Sequence, residues 1–179
     1  YILCENSEGL LIVDARRAHI SILFDRYIND MGQGSMPSQQ LLFEEEAEID
    51  CDTAPMASEM QPELERLGFR VQKKDATHWI VTAAPAAING AGAAESLVSI
   101  IRQIDESGGV ESAGVDIRRR LALAMARTAA IEARQPLNEE EMERLLSELF
   151  RLPAPGYTPD GLVVMYTLPK ASVDAFFGR

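Results

Sequence analysis

The feature that most constrains the fold is a pair of short segments that are apolar on consecutive residues. Leu10–Val13 and Leu162–Tyr166 carry hydrophobic side chains on both faces of an extended chain. Because successive side chains of a strand point to opposite faces, both faces of such a strand need cover. We therefore predict that the two strands lie in one small sheet, with one face covered by helices of the same chain and the other by a second subunit. A fully intramolecular core is the alternative.

The remaining hydrophobic spacing predicts a mixture of hairpins and amphipathic helices. Tyr1–Glu5 pairs with Leu10–Val13 across a turn, and Asp14 then lies where a helix N-cap is expected. Asn138 and Glu141 form a capping-box pattern before a further helix. The other predicted elements are helices at Ile20–Tyr27, Met56–Leu67, Leu97–Ile104, Asp116–Ala133, Met142–Phe150 and Ser172–Phe177, and a hairpin of Phe69–Lys73 and His78–Ala83. Pro62 is a misfit inside the second helix, which is expected to bend or to begin near it.

This order of elements predicts an α+β fold with two lobes. Residues 1–38 and 112–179 form a discontinuous dimerisation lobe, in which helices cover a small sheet. Residues 39–111 form an inserted second α+β lobe.

Composition excludes several classes of function. The chain has 28 acidic and 17 basic residues and a net charge of −11, so it lacks the basic face that autonomous DNA binding requires. No apolar run approaches the roughly 20 residues of a membrane span, and no membrane association is expected. Two cysteines make neither a disulfide framework nor a zinc site, which favours a reducing cytoplasm. The missing initiator Met predicts a fragment of a longer protein.

The residue types that usually carry chemistry are scattered. His19 and His78 have no neighbours at metal-ligand spacing, and Cys4 and Cys51 are expected to be small apolar residues. No glycine-rich phosphate loop is present. The acidic clusters are better explained as solvated faces and helix-dipole partners than as metal sites. The sequence therefore predicts no enzyme.

Four segments carry a resemblance to a known family. In chain order they are Tyr1–Asp14 running into Ala18-His19, Gln39–Phe43, Ala126–Met142 and Tyr157–Gly161. Together they resemble the C-terminal dimerisation domain of the MutL family of bacterial DNA mismatch-repair proteins. The resemblance spans nearly the whole chain and is weakest in the middle lobe.

Many members of that family nick DNA with a metal-dependent endonuclease site, and its motifs are largely replaced here. Asp14 remains, but Ile20 stands at the place of a ligand Glu, Arg127 at that of a Cys and Asp160 at that of a His. Zinc and manganese sites need thiolate, imidazole and carboxylate donors, so we expect no catalytic residue and no metal site. The rival hypothesis is a degenerate metal-dependent nicking endonuclease that uses Asp14, Asp25 and Glu141. An unrelated α+β adaptor is a further alternative.

Gln39, Leu41, Leu42 and Phe43 resemble the short sliding-clamp motif that the family carries at this point. A glutamine would hydrogen-bond at the rim of a pocket that apolar anchors fill. The family's proline after the motif is Glu44 in this chain. The alternative is an edge strand that packs Leu42 into the second lobe.

The resemblance implies a non-catalytic homodimerisation and partner-docking domain. It would hold together two N-terminal ATPase modules that lie outside this chain, so ATP and Mg are implied only for the full-length protein. Its expected partners are a second copy, the sliding clamp, and the mismatch-recognition protein and helicase of the pathway, with DNA reached only through the full-length protein. The residues that we expect to line or support the dimer interface are Leu11, Val13, Leu162, Val164 and Tyr166.

Overall fold

The computed structural model describes residues 1–34, 36–88, 92–106 and 117–178. The elements in these ranges are β1 (Ile2–Asn6), β2 (Gly9–Val13), α1 (Ala15–Gln33), β3 (Ser38–Glu48), α2 (Ala54–Arg66), β4 (Arg70–Lys73), β5 (His78–Pro85), α3 (Ala93–Glu106), α4 (Ile117–Ala129), α5 (Glu139–Leu149), β6 (Met165–Pro169) and α6 (Lys170–Phe176). The strands form two antiparallel sheets of three strands each. The predicted α+β class is confirmed.

The chain divides into two compact units. The first unit contains Tyr1–Asp25 and Ala130–Arg179, and the second contains Arg26–Ala129. The boundary falls inside α1, between Asp25 and Arg26, and the chain returns to the first unit directly after α4. The lobes predicted from the sequence, with boundaries near residues 38 and 112, remain a prediction about functional organisation.

The sheet of the first unit has the strand order β1-β2-β6. The opening hairpin is confirmed: the Asn6 side-chain oxygen accepts hydrogen bonds from the backbone N–H groups of Glu8 and Gly9 and closes the turn. β6 pairs antiparallel with β2, so the two apolar segments do lie in one sheet.

Helices of the first unit cover one face of that sheet. The buried cluster on this face combines side chains of the sheet with side chains of α1 and α5, namely Ile2, Leu11, Val13, Ala18, Ile22, Leu149 and Val164. Partly buried residues of α5, including Met142, Leu145 and Leu146, complete it. Burial of this apolar surface provides the main stabilisation of the unit.

Both helices that cover the sheet begin at caps that the sequence predicts. Asp14 accepts a hydrogen bond from the backbone N–H of Arg17 at 3.0 Å. Asn138 and Glu141 form the reciprocal capping box, with both side-chain-to-backbone distances at 2.9 Å. These bonds satisfy donors that have no partner inside their helices.

The second unit has its own sheet, in the order β3-β5-β4, and its own core. Its largest fully buried side chains come from all four helices and from the sheet: Trp79 from β5, Met60 and Leu64 from α2, Leu97, Ile100, Ile101 and Ile104 from α3, Leu121 and Met125 from α4, Tyr27 from α1, and Leu67 and Phe69, which follow α2. Gly68 ends α2 in the left-handed region, at φ +100°, as its position after the apolar pattern predicts.

Some element boundaries differ from the predictions. The last strand begins at Met165, because Thr158 and Leu162 close a turn through two hydrogen bonds of 2.8 and 2.9 Å and hold Leu162 outside the strand. The helix predicted to continue to Ala133 ends at Ala129, and side chains of Arg16 and His19 bind the backbone of Ile131 instead.

α2 continues through Pro62, so the helix does not begin near the proline, and the alternative of a bend at Pro62 stays a prediction. The Gly108-Gly109 pair, which follows the predicted helix Leu97–Ile104 and is expected to end it, lies outside the described residues. No helix in the described ranges is both long enough and apolar enough to cross a membrane.

Candidate functional site

Exposed large hydrophobic side chains are unevenly distributed between the two units. Within the described ranges there are eleven, and nine of them belong to the first unit. The two in the second unit are neighbours in sequence, Leu42 and Phe43. Among the described residues, the first unit therefore carries most of the exposed large hydrophobic side chains, and the second unit carries one localised pair.

Two of the nine exposed side chains of the first unit lie on the face of its sheet that points away from the core cluster. The register places Leu3, Ile12 and Tyr166 side by side across β1, β2 and β6. Leu10 and Leu168 form a second apolar pair on the same face. Leu3 and Tyr166 are each 61% exposed. We call these five residues the outer face.

The residues predicted for the dimer interface separate into two groups. Leu11, Val13 and Val164 are buried in the unit's own core, so they support the sheet from behind. Leu162 and Tyr166 are exposed, Leu162 in the turn and Tyr166 on the outer face. Their membership of a dimer interface remains a prediction.

Sequence reasoning named the segment Leu10–Val13 for the interface but did not single out Leu3, Leu10, Ile12 and Leu168 as members of the outer face. All four are apolar, as are the core residues that alternate with them, so hydropathy cannot distinguish the two faces. The burial difference on β2 follows strict alternation, with Leu11 and Val13 buried and Leu10 and Ile12 half-buried. A signal was present in β6, where polar Thr167 separates Tyr166 from Leu168.

The segment that resembles a clamp motif lies on β3, at the edge of the second sheet. Gln40 pairs with Ala83 and Glu45 pairs with Val81, so residues 41–44 all oppose the single residue Thr82. The strand therefore bulges outward over these four residues, which we call the bulge segment. Leu42 is 96% exposed and Phe43 84% exposed, whereas Leu41 is half-buried. Gln39 is exposed at the start of the strand.

The entry to β3 is fixed by contacts with the end of α2. Buried Met36 donates its backbone N–H to the carbonyl of Arg66 at 2.8 Å, and the Ser38 hydroxyl donates to the carbonyl of Gly68. The bulge segment thus projects from an anchored strand.

The residues named for a degenerate nuclease occupy structural positions. Asp14 caps α1, Glu141 caps α5 and Asp25 lies on α1. Across the described ranges, no three side chains of His, Cys, Asp or Glu lie close enough together to hold a metal ion. At the other family motif positions, Ile20 is buried and Arg127 is half-buried.

Both histidines make local hydrogen bonds. The His19 ring accepts from the backbone N–H of Ile131 at 3.1 Å. In the β4–β5 turn, Asp75 accepts from the backbone N–H groups of His78 and Thr77 and also contacts the His78 ring at 3.0 Å. These hydrogen bonds hold the pKa of the Asp75 carboxyl well below its usual range. Cys4 is half-buried and Cys51 exposed, and neither forms a disulfide.

One family model and several known proteins are similar in sequence to this chain. The family model described as the MutL C-terminal dimerisation domain matches residues 1–137. DNA mismatch repair protein MutL of Bacteroides fragilis is 33% identical over 177 residues, which cover 99% of this chain and 28% of that protein. MutL of Chlorobaculum tepidum is 30% identical over the whole chain and 28% of its own length, and MutL of Geotalea daltonii is 26% identical over the whole chain and 30% of its own length.

The chain therefore spans less than a third of the length of these relatives. The family match extends over the opening hairpin, α1, the bulged strand and the whole second unit. This chain belongs to the MutL C-terminal dimerisation domain family of DNA mismatch-repair proteins.

Proposed function

We propose that this chain is a non-catalytic homodimerisation and partner-docking domain of a MutL-type mismatch-repair protein. The observation that carries the proposal is the concentration of exposed apolar side chains on the first unit, together with a separate exposed pair on the bulge segment. Surfaces of this kind are typical of protein interfaces.

A second copy of the chain is the occupant that we propose for the outer face. Leu3, Ile12 and Tyr166 provide a contiguous apolar row with an aromatic member, which suits the desolvated centre of an interface. The family is defined by a dimerisation domain, and a symmetric dimer would place the same face of each copy against the other.

Introduction of negative charge at the outer face tests the dimer. The double variant Ile12→Asp, Tyr166→Asp should sediment as a folded monomer, because dimerisation would bury unpaired carboxylates. Leu42→Asp is the matched control, since it makes the same type of change at an exposed side chain of the other unit and should remain dimeric. Leu11→Asp should unfold the first unit, because its side chain belongs to the internal core. A double variant that remains dimeric at micromolar concentration would contradict the proposal.

Dimerisation would serve the full-length protein by effective concentration. Two N-terminal ATPase modules tied to one dimer meet at a concentration set by their linkers, which favours their ATP-dependent closure around DNA. The mismatch-recognition protein and the helicase are further proposed partners of the assembly. ATP and Mg are proposed ligands of the N-terminal modules of the full-length protein and not of this chain.

The bulge segment is the proposed docking site for the sliding clamp. Leu42 and Phe43 project from the strand, and Gln39 is exposed two pairs before the bulge, where its amide can bond at the rim of a pocket. Burying two such apolar side chains contributes roughly 3–6 kcal/mol before ordering costs. We therefore expect micromolar or weaker affinity, which becomes effective when both proteins share one DNA.

Alanine substitution of the exposed pair tests clamp docking. The double variant Leu42→Ala, Phe43→Ala should lose binding in a titration with purified clamp while sedimentation still reports a dimer. Gln40→Ala, an exposed change on the same strand before the bulge, should bind as the wild type does. Unchanged clamp binding by the double variant would contradict docking at this segment. Loss of the second unit's fold would favour the edge-strand alternative.

A further inference from the structure

Glu45 directly follows the bulge segment and connects it to a different element. Its carboxylate Oε2 accepts a hydrogen bond from the backbone N–H of Ala94 at 2.9 Å, in the first turn of α3. The first N–H groups of a helix have no partner inside the helix, and the helix dipole favours an anion at that end. The residue that precedes α3 is Gly92, which has no side chain with which to cap it. Glu45 supplies the missing cap from a strand 49 residues away in sequence.

Gly92 also leaves the space that this carboxylate occupies. A Cβ at Gly92 would lie 3.0 Å from Glu45 Oε2, closer than ordinary van der Waals contact. The backbone carbonyl of Gly92 accepts from Ser96 N–H at 2.9 Å, which fixes Gly92 at the start of the helix. Two features of the sequence, a glycine before α3 and a glutamate after the bulge, therefore meet at one point.

The same contact fixes the register of β3. Glu45 is the first residue after the bulge that pairs with β5, opposite Val81. The strand is anchored before the bulge at Met36 and Ser38, and Glu45 anchors it after the bulge. Residues 41–44 are held between two fixed points, so the exposed conformation of Leu42 and Phe43 is formed before any partner binds.

We propose that Glu45 is a positioning residue for the bulge segment, which it presents to the sliding clamp by capping α3. This inference rests on the docking function proposed above. Preorganisation raises affinity because the ordering of a peptide segment opposes binding. Loss of the anchor should therefore weaken docking without removing any residue that contacts the partner.

Clamp titrations with three glutamate variants test the proposal. Glu45→Ala should weaken binding roughly 5- to 10-fold, a range based on the cost of immobilising one or two side chains. Glu45→Gln should remain within about twofold of wild type, because its side-chain oxygen still accepts from Ala94 N–H. Glu46→Ala is the matched control: it removes the same charge one residue along, where the carboxylate pairs with exposed Lys74 at 3.0 Å, and it should also remain within about twofold.

A measurement on the free domain makes the test independent of the clamp. Hydrogen exchange at the amides of residues 41–44 and Ala94 should accelerate in Glu45→Ala and not in Glu46→Ala. Gly92→Ala should produce a smaller acceleration, because its Cβ displaces the same carboxylate. It should add nothing in the Glu45→Ala background.

The outcomes separate this inference from the docking proposal. If Leu42→Ala, Phe43→Ala abolishes binding while Glu45→Ala binds and exchanges as the wild type does, the positioning role is wrong and docking stands. If Glu45→Gln is as weak as Glu45→Ala, the hydrogen bond is not the cause and the positioning role is also overturned. If the Leu42, Phe43 double variant binds as the wild type does, clamp docking fails, and the presentation to a clamp inferred here fails with it.

Discussion

At the residue scale, two positions depend on one atom each: the Cβ that Gly9 lacks and the buried hydroxyl oxygen of Tyr27. Gly9, at φ +152°, passes so close to β6 that a Cβ would lie 2.1 Å from the carbonyl oxygen of Leu168. Tyr27 is 1% exposed, and its buried hydroxyl has no hydrogen-bond partner among the described residues. Both positions lead to predictions about stability.

Gly9→Ala should destabilise the domain by about 2 kcal/mol or more, because the methyl group meets backbone that cannot move without breaking the β2–β6 pairing. Gly32→Ala is the control: it lies within α1 with no atom within 4 Å of the added Cβ, and it should stabilise by about 0.5–1 kcal/mol. Urea unfolding of the two variants measures the difference. Equal stability of the two variants would contradict the close approach at Gly9.

Burial raises the pKa of Tyr27 to about 12, with Arg26 lowering it and Asp30 raising it to a smaller extent. The folded state holds the Tyr27 proton more tightly than the unfolded state does. The protonated hydroxyl therefore contributes to the free energy of unfolding, and this contribution is complete below pH 10. It is then lost as the pH rises from 10 to about 12. The difference is on the order of 2–3 kcal/mol at the alkaline limit. Urea unfolding across this range should show a steeper loss in wild type than in Tyr27→Phe, and identical slopes would contradict the assignment.

At the scale of elements, helices begin at bonds made by residues outside their own hydrogen-bond ladder. α1 is capped by the adjacent Asp14, α5 by its reciprocal box and α3 by Glu45 from a distant strand. The first two caps depend only on neighbours in sequence, whereas the third requires the second unit to fold. Removal of either of the first two caps therefore tests a local contribution to helix stability, whereas removal of the third tests a contact within the folded second unit.

Asn138→Ala should cost about 1 kcal/mol of stability, because the backbone N–H of Glu141 loses its acceptor at the start of α5. Glu140→Ala, in the same first turn but outside the box, should change the free energy of unfolding by less than about 0.5 kcal/mol. Thermal unfolding of both variants provides the comparison. A cost for Glu140→Ala that equals the cost for Asn138→Ala would indicate a dipole effect and not a capping bond.

At the scale of the whole molecule, each unit has a core of its own. Most of the exposed large hydrophobic side chains among the described residues nevertheless lie on the first unit. The proposed dimer couples folding of that unit to association. A domain that loses water-exposed apolar surface on dimerisation gains stability by mass action.

The melting temperature should therefore rise with protein concentration in the wild type. The Ile12→Asp, Tyr166→Asp variant should melt at a temperature that does not depend on concentration. Calorimetry over a 100-fold concentration range measures this difference. The protein concentrations should extend from well below to well above the dissociation constant of the dimer. A wild-type melting temperature that stays constant over that whole range would argue against coupled association.

The local features of this protein could be predicted from its sequence because they depend on neighbouring residues. The opening hairpin, the Asp14 cap, the Asn138–Glu141 box and the β4–β5 hairpin follow from turn chemistry, capping and hydrophobic period, and the structure contains each of them. The apolar segments predicted that β2 and the last strand share a sheet. Leu42 could be proposed as an anchor for the sliding clamp only because its segment resembles the clamp motif of the family.

Only the tertiary structure determined which face of the first sheet is buried and where the edge strand β3 bulges. Leu10 and Leu11 are the same residue type in one strand, and only the packing of α1 and α5 places Leu11 in the core and leaves Leu10 on the outer face. The bulge arises because four residues of β3, 41–44, lie between pairs that are separated by one residue on β5. Glu45, directly after the bulge, accepts a hydrogen bond from Ala94, a helix residue 49 positions away in sequence. Such contacts join residues that are distant in sequence, so no local pattern encodes them.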